Sequence, residues 1–388
     1  MANRGEIACR VMATAKEMGL RAVAAYSGVD RGALHVRKAD EAVLLGEESR
    51  SYLDTAAIIA AAKRMKVDAV HPGYGFLSES ADLAQAVLTA GLIWVGPPPQ
   101  AMMLLADKRA ARLRAAQQGV PVLPGVEDAE GEPRSDEKLA RTAVDRVGFP
   151  MVIKPAMGGG GKGMHIVREE KDLLSTMAAS RREARAAFGD DSLLVERFVE
   201  KGRHVEVQVF GDSFGNVVHL GDRDCSLQRR HQKLVEEAPA PLLSSKVRDA
   251  MRSAAVAAAK GAGYQGAGTV EFLLEDQSDE EKRTGQTPKF WFLEMNARLQ
   301  VEHRVTELVT GQDLVKWQLL VASGRPLPLT QDQIKFNGCA AEARLYAEDP
   351  SRNFIPSAGK LKHMMMPSTG RHMVVDSGFE RGDEIGVW

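Results

Sequence analysis

Four consecutive glycines, Gly158 to Gly161, lie between Lys154 and Met164 in the stretch KPAMGGGGKGM. Glycine loses more chain entropy on folding than any other residue, so the run is read as a loop. In return, its amides can approach a ligand with no Cβ in the way. What flanks the loop narrows the fold. FPMVIKPA before it and MHIVR after it both read as strands. A dinucleotide-binding turn needs a helix to begin at the loop, and the second strand denies it. A Walker A loop needs Ser or Thr after its lysine, but Lys162 is followed by Gly163. A glycine-tipped hairpin over phosphates remains, with Lys154 as a charged clamp on the preceding strand. On these residues alone a bland flexible hairpin fits equally well.

Upstream, helix and strand patterns alternate through residues 1–98. Gly5–Met18 reads as helix, RAVAAYS as strand, Leu53–Met65 as helix, DAVHPG as strand, Ser80–Ala90 as helix and IWVGP as strand. That alternation predicts a doubly wound parallel sheet. The opening helix reads as the second half of a βαβ unit, and GDEIGVW at the other end reads as the middle of a strand, so both ends are expected to belong to longer elements. Pro97 to Pro99 mark a boundary. Helices are then expected at Met102–Gln118, Glu137–Val147 and Glu169–Ala187. SLLVERFV, RHVEVQVFG, NVVHLGDRDCS, GAGTVEFLLED and KFWFLEMNA read as strands, the last four largely antiparallel. Asp276–Lys289 reads as a polar loop, and the tail from Ile334 as short strands. The expected class is therefore α/β and α+β, with domains at 1–98, 99–330 (a lid at about 124–196) and 331–388.

Composition excludes some functions. A net charge of −1 gives no extended nucleic-acid footprint, and no apolar run approaches the ~20 residues of a membrane span. Cys9, Cys225 and Cys339 lie far apart without a CxxC pair, which argues against a disulfide framework or zinc site and fits a reducing compartment.

Two carboxylates sharpen the phosphate reading. Glu271 in GTVEFLL and Glu294 in FWFLEMN sit on strands joined by one loop, so they can face each other across a ladder. Like charges there repel unless a cation lies between them, and Mg²⁺ takes oxygen ligands together with phosphates. Asn296, two residues on, shares the face. NARLQVEH gathers Arg298, Gln300, Glu302 and His303, while CSLQRRHQK gathers Arg229, Arg230, His231, Gln232 and Lys233. The second cluster, between short strands and beside EEAPAP, reads as a fixed anion site. Arg181–Arg185 reads as a solvated face.

At these residues the chain resembles a known family. NRGEIACRV, HPGYGFLSE, GGGGKGM, RHVEVQV, RDCSLQRRHQK, EEAPAP, GAGTVEF and LQVEH are similar, in order, to the biotin carboxylase component of biotin-dependent carboxylases, an ATP-grasp fold. EARLYAEDP, VFGD and DLVKWQL are most similar to methylcrotonyl-CoA carboxylase α subunits, with propionyl- and acetyl-CoA carboxylases as rivals. The resemblance implies that ATP phosphorylates bicarbonate to carboxyphosphate, which carboxylates biotin. It implies ATP contacts from Lys108, Lys154, Gly158, Gly159, Gly160, Gly161, Glu196, His204, His231 and Gln232. Glu271, Glu294 and Asn296 would hold Mg²⁺ or Mn²⁺. Lys233 would lie near the transferred phosphoryl group, Glu302 would be the base, Arg298 would bind bicarbonate, and Arg344 would stabilise the biotin enolate.

The implied partners are a biotin carboxyl carrier domain, a carboxyltransferase subunit and further copies of the chain. The implied location is the mitochondrial matrix in a eukaryote and the cytoplasm otherwise. No biotin-attachment AMKM occurs, so the carrier lies outside this chain. Two departures stand out: Ala297 replaces a usual Thr, and Arg304 replaces the proline that usually follows EH. Arg304 would either depress the pKa of Glu302 or point away from it. Two rival readings are an ATP-grasp enzyme with another acceptor, as in carbamoyl-phosphate synthases, and an inactive nucleotide-binding fragment. RRHQK and Arg344 speak against the first.

Overall fold

The computed structural model describes every residue except 129–134, 158–162, 231, 278–282, 284–285, 371 and 387–388. The glycines Gly158–Gly161 and His231 therefore lie outside the described residues.

In the first hundred residues, β1 (Val23–Ser27) pairs in parallel with β2 (Glu41–Gly46), and β3 (Ala69–Val70) pairs in parallel with β4 (Ile93–Trp94). Residues 1 and 2 lie between the two pairs. The Met1 amine donates to the Val23 carbonyl, Ala25 N–H donates to the Met1 carbonyl, and Ala2 N–H donates to the His71 carbonyl. The alternation expected from the sequence is present, with helices Gly5–Glu17, Thr55–Arg64 and Ala81–Thr89 between and beside the strands. Asp54 and Ser80 cap the last two by accepting from the amides of Ala57 and Leu83.

The helix expected over Met102–Gln118 is two helices, Pro99–Ala106 and Lys108–Gln117. Asp107 is extended between them, and its carboxylate accepts from the amides of Arg109 and Ala110. An internal N-cap residue restarts the helix at Lys108. A second four-stranded sheet follows in the order β5-β8-β6-β7, from Gly125–Glu127 (β5), Met151–Pro155 (β6), His165–Val167 (β7) and Leu193–Arg197 (β8). Two helices, Asp136–Arg146 and Leu173–Phe188, supply its apolar cover. The expected solvated face over Arg181–Arg185, on the second helix, holds at Arg182 and Arg185, which are exposed, and fails at Arg181. It is 13% exposed and is held by Asp128 at 2.8 Å and Asp136 at 2.6 Å.

The largest sheet positions the site. It runs β13-β12-β9-β10-β11-β14, from β9 (Gly202–Gly211), β10 (Val217–Arg229), β11 (Gln232–Ala238), β12 (Gly266–Glu275), β13 (Phe290–Asn296) and β14 (Ala340–Ala343). In β9, Val205, Val207 and Val209 alternate with Glu206 and Gln208, and successive strand residues point to opposite faces. The valines join Val270 and Phe272 of β12 in a core covered by Val247, Met251 and Ala255 of helix Ser245–Gly261. The alternating polar face would ordinarily meet water, yet Glu206 and Gln208 are completely buried. That inversion marks the inner wall of the site.

Candidate active site

The ladder register puts the polar wall together. Glu271 stands opposite Glu206 on one side and Glu294 on the other, while Thr269 stands opposite Gln208. Arg223 of β10, also with no exposed surface, lies under this face. Its Nε donates to Glu206 at 2.5 Å, its Nη1 to Gln208 and Thr306 at 2.7 and 2.9 Å, and its Nη2 to Thr269 at 3.0 Å. A fully buried guanidinium requires such partners.

Lys233 enters from β11. Its ammonium donates to Glu206 at 2.7 Å, Glu271 at 3.0 Å and Glu302 at 2.7 Å. Burial works against its charge, but the three carboxylates raise its pKa well above the ordinary lysine value. The reciprocal effects follow. Burial would raise Glu206, yet Arg223 and Lys233 hold it at about 2. Glu271 is likewise held well below the usual carboxylate range, against burial, by Lys233 and His204. His204 meets Glu271 through Nε2 at 2.8 Å, and this opposes burial strongly enough to raise its pKa.

Glu302, completely buried, precedes helix His303–Thr310 and divides its two oxygens. Oε1 accepts from Lys233, and Oε2 accepts from Arg344 Nη2 at 2.9 Å. Arg344, just beyond β14, also donates through Nε to Glu236 at 2.7 Å. Arg298 is braced by Glu79 at 3.2 Å and Gln300 at 2.8 Å. Arg304 turns away from Glu302. Its guanidinium binds Asp376 at 2.5 and 2.8 Å and Glu307 at 2.8 Å. Of the two roles open to Arg304, the structure takes the second.

The residues expected at a nucleotide form an adjoining group. Lys154 of β6 donates to Glu196 of β8 at 2.7 Å. Lys108, at the restarted helix, is lowered in pKa by burial and has Glu294, Lys154 and Glu196 as charged neighbours. Glu294 joins this group to the first: burial and then Glu271 raise its pKa, while Lys108 and Lys154 lower it. Gln232 opens β11 and is exposed.

A divalent cation fits this geometry. Glu271 and Glu294 are direct ladder partners, and Asn296 donates its amide to Glu271 at 2.9 Å. Its carbonyl, which accepts from Arg298 at 3.3 Å, is a third oxygen donor of the kind Mg²⁺ takes. Two other groups, His204/Glu206/Glu271 and Glu206/Cys225/Glu302, also bring metal-binding atoms together. In both of these, as at Glu271 of the first set, the Lys233 ammonium stands among the carboxylates.

The sequence reading missed Glu79, Glu206, Arg223 and Glu236 as parts of the site. For Glu206 the signal available was the polar half of HVEVQV, alternating with valines on one strand.

Three family descriptions match the chain in succession: "Biotin carboxylase, N-terminal domain" over residues 1–102, "Carbamoyl-phosphate synthase L chain, ATP binding domain" over 107–330, and "Biotin carboxylase C-terminal domain" over 342–388. The mitochondrial methylcrotonoyl-CoA carboxylase subunit alpha of Oryza sativa subsp. japonica is 51% identical over 390 residues, covering 100% of this chain and 51% of that one. Biotin carboxylase 1 of Bacillus subtilis is 45% identical, covering 99% and 83%. Among solved structures, a biotin carboxylase with β,γ-ATP from Campylobacter jejuni superposes with a TM-score of 0.91 at 44% identity, covering 99% and 83%. The biotin carboxylase domain dimer of the Hydrogenobacter thermophilus 2-oxoglutarate carboxylase, with MgADP, ADP and bicarbonate, gives 0.91 at 40%, covering 100% and 82%. The chain spans about half the length of the α subunits it matches.

Proposed function

This chain belongs to the biotin carboxylase family, and from that premise we propose that it carboxylates biotin on a separate carrier domain, using ATP and bicarbonate through carboxyphosphate. The observation that carries the reading is Glu302, a buried carboxylate with one oxygen on Lys233 and the other on Arg344. A base in that position can take the bicarbonate proton. Lys233 and Arg298 then meet the charge developing on the transferred phosphoryl group and on bicarbonate, and Arg344 meets the enolate of biotin.

Lys108, Lys154, Glu196, His204 and Gln232, with His231 and the glycines Gly158–Gly161, bind ATP in this reading. Glu271, Glu294 and Asn296 hold Mg²⁺, or Mn²⁺ in its place. That ion would neutralise phosphate charge and fix its orientation. Residues 1–98, 99–330 (lid about 124–196) and 331–388 are the working domains. The acyl-CoA served is methylcrotonyl-CoA, supported by identities of 48–51% to several α subunits. The partners are a carrier domain, a carboxyltransferase subunit and a second copy of the chain, in the mitochondrial matrix if the source is eukaryotic. No described helix is long and apolar enough to cross a membrane.

The test measures ADP release and carboxybiotin formation with free biotin, with and without bicarbonate. Both should require bicarbonate. ADP release indifferent to bicarbonate, with no carboxybiotin, overturns the reading.

A further inference from the structure

Behind Arg344 lies a second pair of acids. Glu236 of β11 and Glu342 of β14 are direct partners in the antiparallel ladder, so their side chains share a face at short range. Glu236 has no exposed surface. Its Oε1 accepts from Arg344, while its Oε2 is shielded from solvent and has no hydrogen-bond donor among the described residues. Glu342 is half-buried, and its Oε2 is equally shielded, with no donor among the described residues. The groups facing the pair are Glu302 before helix His303–Thr310, Arg344 beside β14, Arg223 on β10, Glu206 on β9 and Tyr74 with its partner Glu6. Arg344 is already divided between Glu236 and Glu302, and Arg223 is spent on Glu206, Gln208, Thr269 and Thr306. Two facing carboxylates, each with a shielded oxygen, repel when both are ionised under that supply of cations; adjacent acids relieve this by keeping one proton near neutral pH.

We propose that Glu236 and Glu342 share one proton, and that Glu342, by keeping it, is a positioning residue that leaves Arg344 free to meet an anionic substrate. The inference rests on the role of Arg344 proposed above. With the proton in place the pair carries one negative charge. Without it a second charge appears beside the guanidinium and competes with the enolate. Burial, then Glu236 and Glu302, push Glu342 up to about 8, which places the loss of the proton at mildly alkaline pH. ATP cleavage, which in this reading does not use Arg344, is not affected.

The experiment compares the chain with Glu342→Gln, a variant neutral at every pH. Infrared difference spectra across the alkaline range should show the carbonyl stretch of a protonated carboxylic acid disappearing as pH rises through about 8, and the variant should lack that component. The ratio of carboxybiotin to ADP should fall several-fold over the same range in the parent and stay flat in Glu342→Gln. An alkaline band that persists unchanged in a folded Glu342→Gln overturns the shared proton. So does the same alkaline fall in both proteins. If the variant does not fold, the parent's spectra decide: no carboxyl deprotonation in that range overturns the proposal. Absence of carboxybiotin at every pH, with the infrared signature present, refutes the carboxylase reading instead.

Discussion

Lys233 Nζ lies 2.7 Å from Glu302 Oε1, and the same ammonium reaches Glu206 and Glu271. That ammonium bridges three buried carboxylates, each of which also has a second basic partner: Arg223 for Glu206, His204 for Glu271 and Arg344 for Glu302. Removing one partner of a buried ion pair costs about 3–5 kcal/mol, because the remaining charge is left unpaired. Lys233→Met removes the shared cation but leaves each carboxylate its second partner, so it should lower stability by up to that order in chemical denaturation, while Lys233→Arg should recover part of it. A loss below about 1 kcal/mol would show that water reaches the carboxylates easily.

Glu294 faces Glu271 across the ladder and has its pKa raised by burial and by that neighbour. A ligand carboxylate held under repulsion gains from a divalent cation. Glu294→Gln should therefore raise the Mg²⁺ concentration needed for ATP binding at least tenfold and leave metal-free ADP binding within a few-fold. Calorimetric titration with and without Mg²⁺ checks this. Equal losses in both titrations would place Glu294 outside the metal set.

His71 is buried, accepts from Gly73 N–H through Nδ1, and lies 3.1 Å from Gln318 through Nε2. Burial lowers its folded pKa from 6.5 to about 4. Between those values the unfolded chain takes up a proton that the folded chain refuses, so stability falls as pH drops through that window. His71→Gln should remove about one proton from the acid slope of the unfolding free energy, roughly 1.4 kcal/mol per pH unit. An unchanged slope would mean that His71 is protonated in the folded state.

Arg304 binds Asp376, from the segment beyond β14, and Glu307 on its own helix, while Glu307 is also held by Arg10 at 2.8 Å. Arg304→Met should cost about 1 kcal/mol, since the Asp376 side of the pair is partly exposed. Reversing the charges in Arg304→Asp with Asp376→Arg should not restore full stability, because the carboxylate introduced on the helix would face Glu307. A cycle showing no coupling between 304 and 376 would break the link.

Much of this was legible in the residues. Helix and strand alternation placed the N-terminal layer, and two acids on strands joined by one loop gave the Glu271/Glu294 pairing that the ladder contains. The break at Asp107 was hidden because good helix formers stand on both sides of it, and only the Asp107 cap reveals it. Arg181 was misread because a basic run on a helix is ordinarily solvated, and Asp128 and Asp136 are remote in sequence. Glu206 was missed for a related reason: polar residues alternating with valine imply a wet face unless another element covers it, and Arg223 stands in the charged run GDRDCS, which reads as exposed.

Glu302 and Arg344 touch at 2.9 Å, yet their proposed duties separate in an assay. Glu302 handles a proton, and removing a general base usually costs about 10²–10⁴-fold in rate. Glu302→Gln should therefore depress bicarbonate-dependent ADP release and carboxybiotin formation together. Arg344 answers the charge of the biotin enolate, so Arg344→Gln should spare most ADP release and reduce carboxybiotin at least tenfold. The bland alternative is that Arg344 only neutralises Glu236 and Glu302, both completely buried. In that case both activities fall in step with the folded fraction. Melting curves on each variant separate the cases. Equal loss of the two activities in a stably folded Arg344→Gln would remove Arg344 from the biotin side of the site.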